Sequence, residues 1–251
     1  MTTEVEQKLY KFMFPVSERK VFIEGEDKKL IPFPDYKALA REDNGRLISI
    51  LSDSYKVVSN SEIIKPLMEQ LHLLDNKWYI DQTHSFVTDQ RMRLQVTFPD
   101  ILINDGQSDI ALSLFLHNSY NNSEGIRLYF GGIRFICGNG QIYGKVLAKL
   151  YRKHTKGIQL GNLKEQVEQT FDQIPAIRDR ISMLQTLTVN KAMTETIEKN
   201  LGKKISAYVK QQKKAENMWV LYNYLTYYIS HMIDVRLRAV YQLRISRIFQ
   251  L

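Results

Sequence analysis

The sequence predicts an α+β protein: a mainly antiparallel, hairpin-rich sheet in residues 1–140, with a basic helical region in residues 141–251 packing on it. Three observations carry this reading. Met92, Leu94, Val96 and Phe98 alternate with Arg93, Gln95 and Thr97, the period-two pattern of a strand with one face in water. After Gly140 the apolar spacing changes to three and four, the period of a helix. The charge changes sign near the same point. Residues 1–144 carry 16 Lys and Arg against 19 Asp and Glu, and residues 145–251 carry 19 against 8, so the balance moves from −3 to +11.

In chain order, Val21–Gly25 reads as a first strand. Residues 36–43 and 46–53 flank Asn44-Gly45, which predicts a hairpin closed by a type I′ turn. Ser59 and Glu62 have capping-box spacing, and Ile63, Ile64, Leu67, Met68 and Leu71 supply one apolar face, so a helix starts at Ser59. Pro66 predicts a kink or an early stop in it. Residues 77–136 read as β: Trp78, Ile80 and Phe86-Val87 beside 92–98, a central apolar strand at 110–117, a polar loop at 118–125, and a strand at 126–136 interrupted by Gly131-Gly132. Helices follow at about 141–155, at about 162–187 with a bend at Pro175, and at about 189–200 up to Gly202. A basic stretch at 203–214 reads as helix or hinge, and one long aromatic helix covers 216–249.

Composition narrows the function classes. With 44% hydrophobic and 25% charged residues, the chain has the make-up of a folded domain rather than a disordered one. A single cysteine, Cys137, excludes an intrachain disulfide framework. The sequence has no run of about 18 apolar residues, and its first residues lack the apolar core of a secretory signal. The reducing cytoplasm is the expected setting.

Enzyme signatures are missing: the sequence holds no P-loop, GxGxxG, HExxH or GxSxG. The five histidines are scattered without ligand spacing, so neither a metal nor a cofactor is expected. Asp100, Asp105 and Asp109 lie close enough in sequence to suggest a Mg²⁺ site, with turn formation as the plainer reading. Cys137, near Arg134, reads either as an activated thiol or as a buried small side chain.

Polyanion binding has stronger motifs. Lys145, Lys149, Arg152, Lys153 and Lys156 recur at helical spacing opposite Ile142, Val146, Leu147 and Leu150. Such a stripe sets cations about one turn apart along a phosphate backbone, although a solvated charged face has the same pattern. In the last helix Trp219, Tyr222, Tyr224, Tyr227 and Tyr228 precede Arg236, Arg238, Arg244 and Arg247. Aromatic rings beside arginines suit base stacking and phosphate contact, and most of these rings are expected in a helical core.

Several blocks together carry a family resemblance. Tyr55, Val58, Asn60 and Glu62 fit a Y-x-x-V-x-N-x-E element. Asn118–Gly125 resembles an N-S-H-D-G-S loop, with Tyr120 and Asn121 where that loop has histidine and aspartate. Arg134, Cys137 and Asn139 fit R-x-x-C-x-N, and Trp219, Asn223 and Thr226 fit W-x-x-x-N-x-x-T. In this order the blocks resemble a phage- and plasmid-borne family catalogued as domain of unknown function 932, across about residues 46–230. A looser likeness, at the level of fold, is to Rad52-type single-strand annealing proteins. The resemblance implies a mobile-element setting in a bacterial or archaeal host and a role near DNA. The departures at Tyr120 and Asn121 put acid–base work by the loop in doubt.

The expected function is non-covalent binding of nucleic acid, single-stranded DNA foremost, in replication or recombination, by a homo-oligomer joined through the helices at 162–187 and 216–249. The expected contacts are Arg134, Asn139, Lys145, Lys149, Arg152, Lys153, Arg236 and Arg244, with Asn118 and Asn121 of the polar loop. The loop reads equally as a self-bonded turn. Two other readings stand: an anti-defence or regulatory protein that binds a host protein or a nucleotide signal through the loop and Arg134, and a metal-dependent nucleic-acid enzyme.

Overall fold

A computed structural model describes residues 7–106, 108–134, 140–142, 169, 171–212 and 214–251, with residues 133, 134, 140–142, 235, 236 and 239 described in backbone only. Strands β1 (Val16–Glu24), β2 (Leu30–Arg41) and β3 (Leu47–Ser52) form an antiparallel sheet in that order. The expected hairpin is β2–β3. Its turn is longer than type I′, because only Gly45 takes a positive φ (71°) while Asn44 does not. The Gly45 amide donates to the Arg41 carbonyl, so a wider loop ending in a left-handed glycine closes the hairpin.

Helix α1 (Asn60–His72) begins as the sequence predicts. Ser59 Oγ accepts from the Glu62 amide at 3.2 Å, and the Glu62 carboxylate accepts from the Ser59 amide at 2.7 Å. The helix runs through Pro66 to His72 and buries Ile63, Ile64, Leu67, Met68 and Leu71. Each such side chain contributes about 1.5–3 kcal/mol when fully buried.

Strands β4 (Tyr79–Ile80), β5 (Phe86–Val87), β6 (Arg91–Asn104), β7 (Asp109–Ser119), β8 (Arg127–Arg134) and β9 (Gly140–Ile142) make a second sheet, ordered β4-β6-β7-β8-β9 with β5 also on β6. The apolar β7 is central, as its sequence predicts. The expected wet face of β6 is a correction: every residue from Met92 to Phe98 is buried. Its polar side chains are matched internally. Arg93 pairs with Glu124, Gln95 donates to Asp81, and Thr97 Oγ1 lies 3.0 Å from Ser113 Oγ. The helix expected from about 141 is also corrected at its start, since Gln141 and Ile142 pair with Gly132 and Gly131 as β9.

Helices α2 (Ile174–Thr186), α3 (Lys191–Leu201), α4 (Lys203–Gln211), α5 (Met218–Met232) and α6 (Val235–Phe249) complete the described chain. Pro175 lies in the first turn of α2, where its missing N–H costs no helical bond; residues 162–168 and 170 of the helix expected before it lie outside the described residues. Gly202 (φ 92°) ends α3, and the basic stretch after it is helical. The single long helix expected at 216–249 is two. Ile233 turns extended (φ −96°, ψ 139°), its carbonyl accepts from Arg238 Nε, and the Asp234 carbonyl accepts from the Leu237 and Arg238 amides of α6.

The chain divides into two compact units. Among the described residues, the first holds those up to Val96 and Phe115–Leu128, and the second holds Thr97–Leu114 and those from Tyr129 onward. Phe14, Leu39, Ile48, Leu51 and Tyr120 form a core cluster in the first unit. In the second, Ile103 and Ile110 pack with Ile181, Leu184, Ile197, Leu201, Ile205, Trp219, Tyr222, Leu225, Ile245 and Phe249.

Candidate nucleic-acid interface

Helix α5 has two faces with different partners. Trp219, Tyr222, Leu225, Thr226 and Ile229 are buried. The Trp219 and Tyr222 rings stack at 5.1 Å and 11°, and the Trp219 indole donates to Asp105 Oδ2 at 2.7 Å. Tyr224, Tyr227, Tyr228 and His231 recur at three and four residues on another face. Tyr227 is 41% exposed and packs on His231 at 4.5 Å. Tyr228 meets Tyr208 of α4 at 4.7 Å. Partial burial and the neighbouring phenols Tyr227, Tyr224 and Tyr228 push the Tyr208 hydroxyl above its ordinary value. The two helices therefore present four tyrosines as one patch.

Helix α4 adds charge to this patch. It buries Ile205 and Ser206 and leaves Lys203, Lys204 and Lys210 exposed. Lys204 precedes Tyr208 by four residues, so both lie on one face. Lys210 is held by Glu198 at 3.1 Å. Ser206 and Lys210 both bond the Glu198 carboxylate, and Lys210 foremost holds its pKa below the usual range.

A second aromatic feature lies in the first unit. Register β1–β2 jumps from Lys20 opposite Lys37 to Phe22 opposite Pro32, so residues 33–36 of β2 bulge out of its pairing with β1. The Phe33 and Tyr36 rings stack at 5.2 Å and 5° and are 36% and 43% exposed. They line a groove of about 460 Å³ together with Arg19, Pro34, Lys37 and Asp53. Lys37 is engaged by Glu18 at 3.1 Å.

The residues named from sequence fall as follows. Asn139, Lys145, Lys149, Arg152 and Lys153, and with them Cys137, lie outside the described residues. Arg134 closes β8 and Arg236 lies in the first turn of α6, both described in backbone only. Arg244 is exposed on α6, donates to the Asn200 carbonyl at 3.2 Å and lies over the Tyr241 ring. Asn118 is fully buried, and its amide donates to the Val58 carbonyl and to Asn60 Oδ1. Asn121 donates to Gln90 Oε1 and accepts from the Ser123 amide.

The polar loop is bonded to itself and to its own unit. Ser119 Oγ donates to the Glu124 carbonyl, Ser49 Oγ to the Tyr120 carbonyl, and Tyr55 OH to the Ser119 carbonyl. The Tyr120 hydroxyl accepts from the Asn60 amide at 2.7 Å. The first two resemblance blocks thus fasten to one another.

Across residues 47–247 the chain matches the model described as Domain of unknown function (DUF932). The chain belongs to that family. No curated protein and no solved structure matches it. In this DUF932 chain Asn60 bonds Asn118 between two of the blocks, and Thr226 donates to the Asn223 carbonyl within another.

Two of the three aspartates raised as a metal site have other partners. Asp105 accepts from the Ser108 amide and the Trp219 indole, and Asp109 accepts from Asn104. Among the described residues no three of His, Cys, Asp or Glu gather as metal ligands. No helix among them is long and apolar enough to cross a membrane. Sequence reasoning missed the Phe33–Tyr36 pair and Tyr208. The first depends on the bulge, and the second on the packing of α4 against α5; neither leaves a periodic signal.

Proposed function

We propose that this DUF932 chain binds single-stranded nucleic acid without covalent chemistry, with DNA as the ligand, during replication or recombination of a phage or plasmid in a prokaryotic cytoplasm. The supporting observation is the tyrosine patch of Tyr208, Tyr224, Tyr227 and Tyr228 beside the exposed Lys203 and Lys204. Aromatic faces stack on any base, so such a patch holds a strand without reading its sequence. Ammonium groups beside it neutralise phosphates and release counterions. The +11 balance of residues 145–251 favours the same partner.

Titration of labelled single-stranded DNA at 50 and 200 mM salt tests this. With about six phosphate contacts the affinity falls on the order of a thousandfold between the two. Absent or salt-independent binding removes the proposal.

The groove at Phe33 and Tyr36 favours a second reading, a regulatory protein that takes a nucleotide signal. Its size falls within the usual range for small-ligand sites, about 300–1,000 Å³. A thermal shift with mononucleotides, in a protein without DNA affinity, would decide for it.

A further inference from the structure

Strand β1 is the outer strand of its sheet, and among the described residues no strand pairs with its free edge. The ribbon that β1 makes with the first half of β2 is exposed on both faces. Phe22 and Ile23 are each 47% exposed, Leu30 69% and Ile31 48%. A two-stranded ribbon without a covered face is marginal in water, and an open apolar edge invites another strand. Two of the usual protections are missing from this edge: β1 contains no proline, and the extra residues of the bulge lie on β2, leaving β1 regular; the charges it does carry, Glu18, Arg19, Lys20 and Glu24, are of both signs.

We propose that this edge pairs with the same edge of a second copy, joining two ribbons into one antiparallel sheet. The argument is self-complementarity. Antiparallel pairing about a two-fold axis puts one residue opposite itself and its neighbours opposite each other. A centre at Lys20 opposes two lysines. A centre at Val21 sets Glu18 against Glu24 twice. A centre at Phe22 sets Lys20 against Glu24 twice, Val21 against Ile23 twice, and the two phenyl rings against each other. Only this register joins opposite charges across both ends of an apolar middle, and opposite-charge and aromatic cross-strand pairs are the stabilising ones. Lys20, Phe22 and Glu24 share one face of the strand, and all are exposed. The pairing is independent of what the tyrosine patch binds.

Light scattering on the eluting full-length chain tests it. The wild type runs at twice the 29.4 kDa chain mass. Lys20→Glu and Glu24→Lys each run as single chains, because each opposes like charges in the dimer. An equimolar mixture of the two recovers the double mass, since one variant then carries two carboxylates at these positions and the other two ammonium groups. The K20E/E24K double variant recovers it alone. A wild type that stays at one chain mass overturns the proposal, as does a dimer indifferent to both single changes. A monomer whose β1 amides gain exchange protection only on adding an oligonucleotide overturns it in favour of nucleic acid on the ribbon.

Discussion

Asn118 donates its side-chain amide to Asn60 Oδ1 at 2.9 Å, joining the end of β7 to the first turn of α1 across 58 residues of sequence. Both are buried, and each also bonds backbone: Asn118 to the Val58 carbonyl, Asn60 to the Phe12 carbonyl. Two of the family's blocks therefore meet in a structural clamp.

Removal of that clamp is costly. Asn118→Ala leaves the Val58 carbonyl and Asn60 Oδ1 without their donor, a loss of about 1–3 kcal/mol for a buried group. Asn118→Asp is worse, because it turns a carboxylate toward those same oxygens. Urea unfolding followed by far-UV circular dichroism checks the order wild type, alanine, aspartate.

The Trp219–Asp105 bond is the corresponding lock in the second unit. Trp219→Phe keeps an aromatic ring against Tyr222 but removes the indole donor from a buried carboxylate, and is expected to destabilise by roughly 2–4 kcal/mol through lost volume and lost bond together. Asp105→Asn restores part of this loss in the double variant, since the carboxylate charge is gone. Non-additivity in the thermal midpoints is the readout.

His117 sets an acid limit. It is buried, and burial foremost, then the charges of Arg93 and Arg127, hold its pKa well below 6.5. Glu124, which pairs with Arg93, is the acidic group facing it, with an oxygen 3.9 Å from Nδ1. The folded pKa lies below the unfolded one, so the unfolded chain takes up the proton first. Stability is full above about 6.5 and falls as pH drops below it, by up to about 1.4 kcal/mol per pH unit. Urea midpoints for wild type and His117→Gln from pH 7.5 to 5 check it, with the steeper loss in the wild type.

The parts of the fold legible in sequence are those set by neighbours in the chain. The Ser59–Glu62 capping box, the β2–β3 hairpin and the end of α3 at Gly202 all follow from local chemistry. The buried polar face of β6 was not legible, because the partners of Arg93 and Thr97 arrive from β7 and the loop after it. The break at Ile233 lies inside an unbroken apolar pattern, and only the backbone reveals it. At the site, helical spacing already separates Trp219 and Tyr222 from Tyr224, Tyr227 and Tyr228. It does not disclose that Tyr208 completes the patch.

The affinity of Tyr227 variants for a labelled single strand tests the central claim most directly. Tyr227 is the most exposed of the four rings, so its substitution spares the core. Tyr227→Ala is expected to weaken binding by about tenfold or more, the value of one lost base stack, while Tyr227→Phe keeps the ring and the affinity. Equal affinity of wild type and Tyr227→Ala would contradict the assignment of this surface to nucleic acid.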